Sequence, residues 1–276
     1  MVRPFRQVDV FTDTPYHGNP LAVVHDADGL SAEQMQRLAS WTNLSETTFL
    51  LPPDDEQADY RVRIFTPSLE LPFAGHPTLG SCHAWLEAGG QSRQPGVVVQ
   101  QCGAGLVSIR VGDGELAFAA PPLVRSGPVD EPLAVQVAAM LGIGRDEIGA
   151  IQWADNGPGW IAVLLASAAA VLAVRPRPGD LNVGIAGPHP PGGPADFEVR
   201  AFFPSNGVTI EDPVTGSFNA SLGQWLLASG RAKAPYLVRQ GTALGRSGRV
   251  RITEDTDGQV WVGGSVLTCI SGTVEV

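Results

Sequence analysis

The chain has 276 residues, of which 43% belong to the AVILMFWYC set and 17% are charged, a composition that can bury one large core or two modest ones. Eighteen basic against 28 acidic side chains leave a net charge of −10, so nothing draws the chain in general toward phosphate backbones or anionic lipid, which argues against nucleic-acid and membrane partners. Three cysteines (Cys82, Cys102 and Cys269), an odd number without a C-x-x-C pair, argue against a disulfide framework or a structural zinc site and fit a reducing cytoplasm.

No apolar leader follows Met1, and the most apolar stretch, residues 160–174, is interrupted by Ser167 and shorter than the roughly 20 residues a spanning helix needs; it reads as core. In chain order, Ser31 and Gln34 form a capping box that predicts a helix over 32–41. A strand is predicted over 42–50, with strict alternation placing Leu44, Glu46, Thr48 and Leu50 on one face. Alternation marks further strands at 59–65, 97–101, 106–111 and 115–119, with Gly112-Asp113-Gly114 as a hairpin turn. A helix begins at His76-Pro77. In the second half, strands are predicted at 197–203, 236–240, 249–253 and 259–262, with a turn at Asp257-Gly258 and a helix beginning at Asp212-Pro213.

The two halves read alike. Phe65-Thr66-Pro67-Ser68 leads to Gly75-His76-Pro77-Thr78-Leu79-Gly80-Ser81, and Phe203-Pro204-Ser205 leads to Glu211-Asp212-Pro213-Val214-Thr215-Gly216-Ser217. Asn19-Pro20 resembles Gly157-Pro158, and Gln101 before a hairpin resembles Gln240 before a hairpin. These three collinear matches have offsets of 136, 138 and 139 residues. They imply an internal duplication, with two α/β lobes divided near Pro121-Pro122 and facing each other across a cleft.

In each copy proline is expected at the first helical position, with His76 or Asp212 as the N-cap. The backbone N–H groups around Thr78 to Gly80 and Thr215 to Ser217 would then lack intrahelical partners and could take an anion, with Gly80 and Gly216 leaving room for its approach. Two capped helices without a ligand remain the alternative. Glu46 between leucines would be partly desolvated, its pKa raised toward that of a general base; the alternative is an edge strand with Glu46 in water. His17, His25, His83 and His189 show no metal-ligand spacing, and no metal site is expected. No nucleotide-binding or hydrolase motif is present, and no cofactor is implied.

The segments F-T-D-T-P-Y-H-G-N-P-L-A-V-V (11–24), N-L-S-E-T-T-F (43–49), F-A-G-H-P-T-L-G (73–80) and E-D-P-V-T-G-S (211–217) resemble, in order and spacing, the PhzF-like phenazine-biosynthesis proteins. The resemblance runs from Val8 to Gly263-Gly264. It implies an α+β, diaminopimelate epimerase-like fold: two similar lobes, each a mixed β-sheet or barrel around a central α-helix, over 1–121 and 122–264, with 265–276 returning to the first.

It also implies a cofactor-independent isomerase of a small unsaturated cyclic carboxylic acid of the trans-2,3-dihydro-3-hydroxyanthranilate kind. Glu46 would be the general acid/base and His76, Asp212 and Ser217 its polar partners. Gly75, Gly216, Thr78 and Thr215 would bind substrate, and a protonated Asp212 would avoid repelling the substrate's charge. A cytoplasmic homodimer is the family expectation. Cysteine-dependent epimerases of this fold carry a thiol at each helix start, where this chain has His76 and Asp212, so thiol chemistry is not expected. A non-thiol racemase or epimerase of a small amino or hydroxy acid, and a non-catalytic small-anion-binding protein, are the competing readings.

Overall fold

The computed structural model describes residues 1–205 and 207–276. The chain divides into two compact units, Met1–Ala119 with Gly263–Val276, and Ala120–Val262.

The first unit runs β1 (Val2–Val10), β2 (Asn19–Val24), α1 (Ala32–Thr42), β3 (Thr47–Leu51), β4 (Tyr60–Phe65), β5 (Glu70–Leu71), α2 (Gly75–Glu87), β6 (Val97–Cys102), β7 (Gly105–Gly112) and β8 (Glu115–Ala119). The pairs β1–β2, β3–β4, β4–β5, β6–β7 and β7–β8 are antiparallel, while β2–β3 and β4–β6 are parallel. The C-terminal strand Val266–Glu275 lies antiparallel on β1, from Val2↔Glu275 to Val10↔Val266.

The second unit runs β9 (Arg125–Pro128), α3 (Glu131–Leu141), β10 (Ala150–Asp155), β11 (Ile161–Leu164), α4 (Ala168–Ala173), β12 (Val183–Pro188), β13 (Phe197–Ser205), β14 (Val208–Asp212), α5 (Gly216–Ala228), β15 (Tyr236–Gln240), β16 (Gly248–Glu254) and β17 (Val260–Gly264). Its pairing repeats the first unit's: β10–β11 antiparallel, β11–β12 parallel, β12–β13 and β13–β14 antiparallel, β13–β15 parallel, β15–β16 antiparallel. β9 lies antiparallel on β10, the place the C-terminal strand takes on β1.

Each unit is a mixed sheet closed around one helix, the α+β fold that the sequence predicts. α2 packs against β1, β2, β3, β6, β8 and the C-terminal strand. A helix walled on every side must be free of charge along most of its length, and α2 buries Gly75 through Cys82 without interruption. α5 does the same with Phe218, Ala220, Leu222 and Leu226, all fully buried. Strand alternation supplies the walls: Tyr60, Val62 and Ile64 point inward on β4 while Arg61 and Arg63 point out.

Several expected boundaries move. The capping box at Ser31 and Gln34 forms as predicted, but the helix runs on through Thr42, where Asn43 closes it in the left-handed conformation at φ 54°. The strand expected over 42–50 therefore starts at Thr47, because Thr42 and Asn43 belong to the helix end, and Glu46 immediately precedes β3. α2 starts at Gly75 with Ala74 as its cap, and α5 at Gly216 with Thr215 as its cap. Pro77 is thus the third helical residue, where its missing N–H still costs no helical bond, and Pro213 lies outside α5 altogether.

α3 and α4 are helices that the sequence reading does not predict. Asp130, which accepts from the N–H of Leu133, and Gly142 in the left-handed conformation delimit α3; Ser167 caps α4. Gly80 faces no ligand space: a Cβ there would lie 2.5 Å from Leu21 Cδ2 and 3.0 Å from the Cγ2 atoms of Val8 and Val10. At this position α2 packs directly against the β1–β2 wall.

Candidate active site

The candidate residues gather at the start of the buried helix in each unit. In the first unit the tight joint between α1 and β3 delivers Glu46. The Thr42 hydroxyl contacts that of Thr47 at 3.0 Å, tying the helix end to the strand start and holding the four-residue connection between them. Glu46 Oε2 then lies 3.4 Å from Nδ1 of His76, with side-chain exposures of 16% and 5%. The amide nitrogen of Asn19, the first residue of β2, approaches the same Nδ1 at 3.5 Å.

Burial pushes the His76 imidazole down to about 3, partly offset by a hydrogen bond to the Pro20 backbone. The ring is therefore neutral near pH 7 and carries one N–H. The Glu46 carboxylate thus approaches an uncharged ring rather than an imidazolium.

Thr78, fully buried, donates both its N–H and its hydroxyl to the carbonyl of Ala74, at 3.1 and 2.9 Å. Gln100 donates to the same hydroxyl at 3.0 Å and accepts from the Tyr60 hydroxyl at 2.9 Å. The first-turn donors without helical partners are thus those of Gly75 and His76, earlier than the predicted Thr78 to Gly80. The buried glutamine of β6 that braces the helix is Gln100, whereas Gln101 accepts from the Asp54 and Asp55 backbone.

In the second unit Gln240 braces the start of α5. Its carbonyl accepts from Thr215 N–H at 3.1 Å and from Asn219 at 2.8 Å, and its amide donates to the Asp212 carbonyl at 3.2 Å. Because two backbone groups fix which end of the amide is which, the 2.9 Å contact from Gln240 to the Thr215 hydroxyl is a donation. The Thr215 hydroxyl in turn donates to Asp212 Oδ2 at 2.7 Å. Thr215 N–H is therefore engaged, contrary to the expected run of open donors from Thr215, and those of Gly216 and Ser217 take that place.

Ser217 is held at both ends. Its hydroxyl oxygen accepts from the indole N–H of Trp160 at 3.0 Å, and its carbonyl accepts from Asn156 at 2.9 Å. The loop carrying both is itself pinned by Asp155 Oδ1, which accepts from Gly157 and Gly159 N–H at 2.7 and 2.6 Å.

These contacts reset the repeat. Gly75 matches Gly216 as the first helical residue, His76 matches Ser217, Thr78 matches Asn219 and Asn19 matches Trp160, all at an offset of 141; Gln100 matches Gln240 at 140. The second helical residue is thus His76 in one unit and Ser217 in the other. Asp212, the expected counterpart of His76, ends β14 instead.

Gln100, Asn19 and Trp160, which contact candidate residues, are ones that motif reading misses. An inward-pointing glutamine on an otherwise apolar strand face was the available signal for Gln100. A broad hollow on the first unit, between Arg37, Trp41 and Pro67, includes none of the candidate residues. Among the described residues no group of three or more His, Cys, Asp or Glu side chains could hold a metal, and no helix is long and apolar enough to cross a membrane. The three cysteines are free thiols, Cys82 held well above its usual pKa by burial.

The family PhzC-PhzF, "Phenazine biosynthesis-like protein", matches residues 8–272. The chain belongs to that family. A trans-2,3-dihydro-3-hydroxyanthranilate isomerase of Pseudomonas aeruginosa is 34% identical over 88% of this chain and 87% of its own length. "Antisense-enhancing sequence 1" of Schizosaccharomyces pombe is 37% identical over 97% of both chains. The crystal structure of a Bacillus anthracis PhzF-family phenazine biosynthesis protein shares the fold, with a TM-score of 0.85 at 23% identity and full coverage of both chains. Like its PhzC-PhzF relatives that are named isomerases, this chain is an isomerase.

Proposed function

We propose that this PhzC-PhzF protein isomerises a small unsaturated cyclic carboxylic acid of the trans-2,3-dihydro-3-hydroxyanthranilate kind by cofactor-independent acid/base catalysis, with Glu46 as the group that moves the proton. The observation that carries the reading is the contact of Glu46 Oε2 with a buried, neutral His76. The uncharged imidazole puts no positive charge beside the Glu46 carboxylate, so the pair is not a fixed ion pair near pH 7.

The step balances without a co-reactant. Glu46 takes a carbon-bound proton next to the conjugated system, and the C–H electron pair enters that system as the double bond moves. The Glu46 carboxyl then returns the proton to another carbon. His76 lies against the Glu46 carboxylate and lines its position without adding charge. Ser217 O–H and the N–H groups of Gly75 and Gly216 serve as donors to substrate oxygen, and Asp212 assists proton transfer. Thr78 and Thr215 shape the helix starts through the bonds described above.

The test is turnover of trans-2,3-dihydro-3-hydroxyanthranilate in D2O by the parent chain and by Glu46→Gln. The parent is expected to yield product with carbon-bound deuterium and a shifted double bond, and E46Q to lose at least about 100-fold in rate while remaining folded. Retained turnover in E46Q would remove Glu46 as the base. Label at a stereocentre with no shift of the double bond would make the protein an epimerase.

A further inference from the structure

Trp160 has no place in the chemistry above, yet its indole N–H donates to the Ser217 hydroxyl at 3.0 Å. We propose that Trp160 is a positioning residue: its indole N–H occupies an acceptor site on Ser217 Oγ and so commits the Ser217 proton to donation toward a substrate carboxylate or hydroxyl. This rests on the reading that Ser217 meets substrate.

The direction of the bond is unambiguous, because an indole nitrogen donates and cannot accept. With Oγ accepting at 3.0 Å along one direction, the hydroxyl proton must lie off that line. Asn156, on the same loop, holds the Ser217 carbonyl, so the serine cannot follow the indole by backbone adjustment. Trp160 is 4% exposed and its ring packs 5.4 Å from that of Phe218.

Packing alone would be met by phenylalanine. What argues for the N–H is the other unit. At the matching position stands Asn19, a residue with nothing of the shape of tryptophan, and its amide nitrogen approaches Nδ1 of His76, the residue that matches Ser217. Both pairs are 57 residues apart, and they are related by one offset of 141. Across the duplication the side chain has changed from a small amide to a large aromatic. An N–H directed at the second helical residue is what the two positions share.

The proposal predicts coupling. Anthranilate, an unreactive aromatic carboxylate with the substrate's ring skeleton, serves as the binding probe, measured by calorimetry on the parent chain, W160F, S217A and the double variant. W160F and S217A are each expected to bind about fivefold to tenfold more weakly, the worth of one hydrogen bond. The double variant should bind no more weakly than S217A, since Trp160 acts only through Ser217. Losses that multiply in the double variant overturn the proposal, as does a parent chain that binds no anthranilate. W160H, which restores a ring N–H donor, is expected to recover part of the W160F loss.

Should W160F fail to fold, the parent and S217A chains labelled with 15N-tryptophan suffice. The Trp160 indole N–H signal, assigned through its contact with Phe218, is expected to shift in S217A and on adding anthranilate to the parent; an unmoved signal refutes the proposal. A chain that binds anthranilate with the predicted coupling but does not turn over the dihydro acid would sink the proposed reaction and leave the role of Trp160 standing.

Discussion

The buried imidazole of His76 makes the sharpest demand on experiment. Its ordinary value of 6.5 falls to about 3 in the folded chain, chiefly because burial withdraws water from the charged form. A base with a depressed folded-state pKa binds its proton more readily when unfolded, so folding stability is full above pH 6.5 and drains away as pH falls toward 3. At pH 5 the unfolded histidine is almost wholly protonated and the folded one almost wholly neutral, and linkage gives a loss of about 2 kcal/mol from this residue alone.

Burial also depresses His25 and His83, so the total slope does not isolate His76. The difference between the parent chain and His76→Asn does. Urea unfolding near pH 7.5 and near pH 5 should show the parent losing about 2 kcal/mol more than H76N over that interval. The carbon-bound ring proton of His76, followed by NMR, should hold its shift from pH 8 to about 4. A midpoint near 6.5, or equal pH dependence in the two chains, would show that the ring is solvated and that the Glu46 contact is an ordinary ion pair.

Two further substitutions test the fold that carries the site. Gly80→Ala pushes a methyl group against Leu21, Val8 and Val10, and overpacking of this kind costs about 1–3 kcal/mol; an unchanged denaturation midpoint would mean that α2 has slack against the β1–β2 wall. Arg200 and Glu211 form a buried two-point ion pair at 3.0 and 2.7 Å. Arg200→Met strands the carboxylate and should destabilise by about 3–5 kcal/mol, and Glu211→Met in the same chain should recover part of that loss. A double variant as unstable as the sum of the two singles would contradict the pairing.

Much of the architecture was legible because it lay in local pattern. Alternation located β4, β6 to β8, β13, β15 and β16, and the box at Ser31 and Gln34 located α1. The shared Pro and Gly-Ser spacing showed that the chain is doubled. The register of the doubling was not legible. Proline is tolerated throughout a helix's first turn, so His76-Pro77 and Asp212-Pro213 look equivalent although one pair lies inside its helix and the other before it.

The strands ahead of the helices explain the slip: β5 has two residues and β14 five, which moves the helix start relative to the proline. α3 was legible and passed over, since Asp130, Pro132 and Gly142 spell its beginning and end. Glu46 and His76 were both named through the motif resemblance, whereas the Thr42–Thr47 hydroxyl contact at the joint between α1 and β3 carries no motif of its own. Asn19 and Trp160 each lie 57 residues from the atoms they touch, and only the corrected offset makes them a pair.

The strand Val266–Glu275 that completes the wall on β1 follows the whole second unit in sequence, and its Thr268 hydroxyl is gripped by His83 and Glu87 of α2 at 3.1 and 2.8 Å. During synthesis the residues from Ala120 to Val262 emerge as one continuous stretch and can close their own core, while the amino-terminal half, translated first, waits with β1 open along one side. Its helix gains its final neighbour only after the whole second unit has been made. The half that bears Glu46 and His76 is therefore the later one to mature, although it is the earlier one to be made.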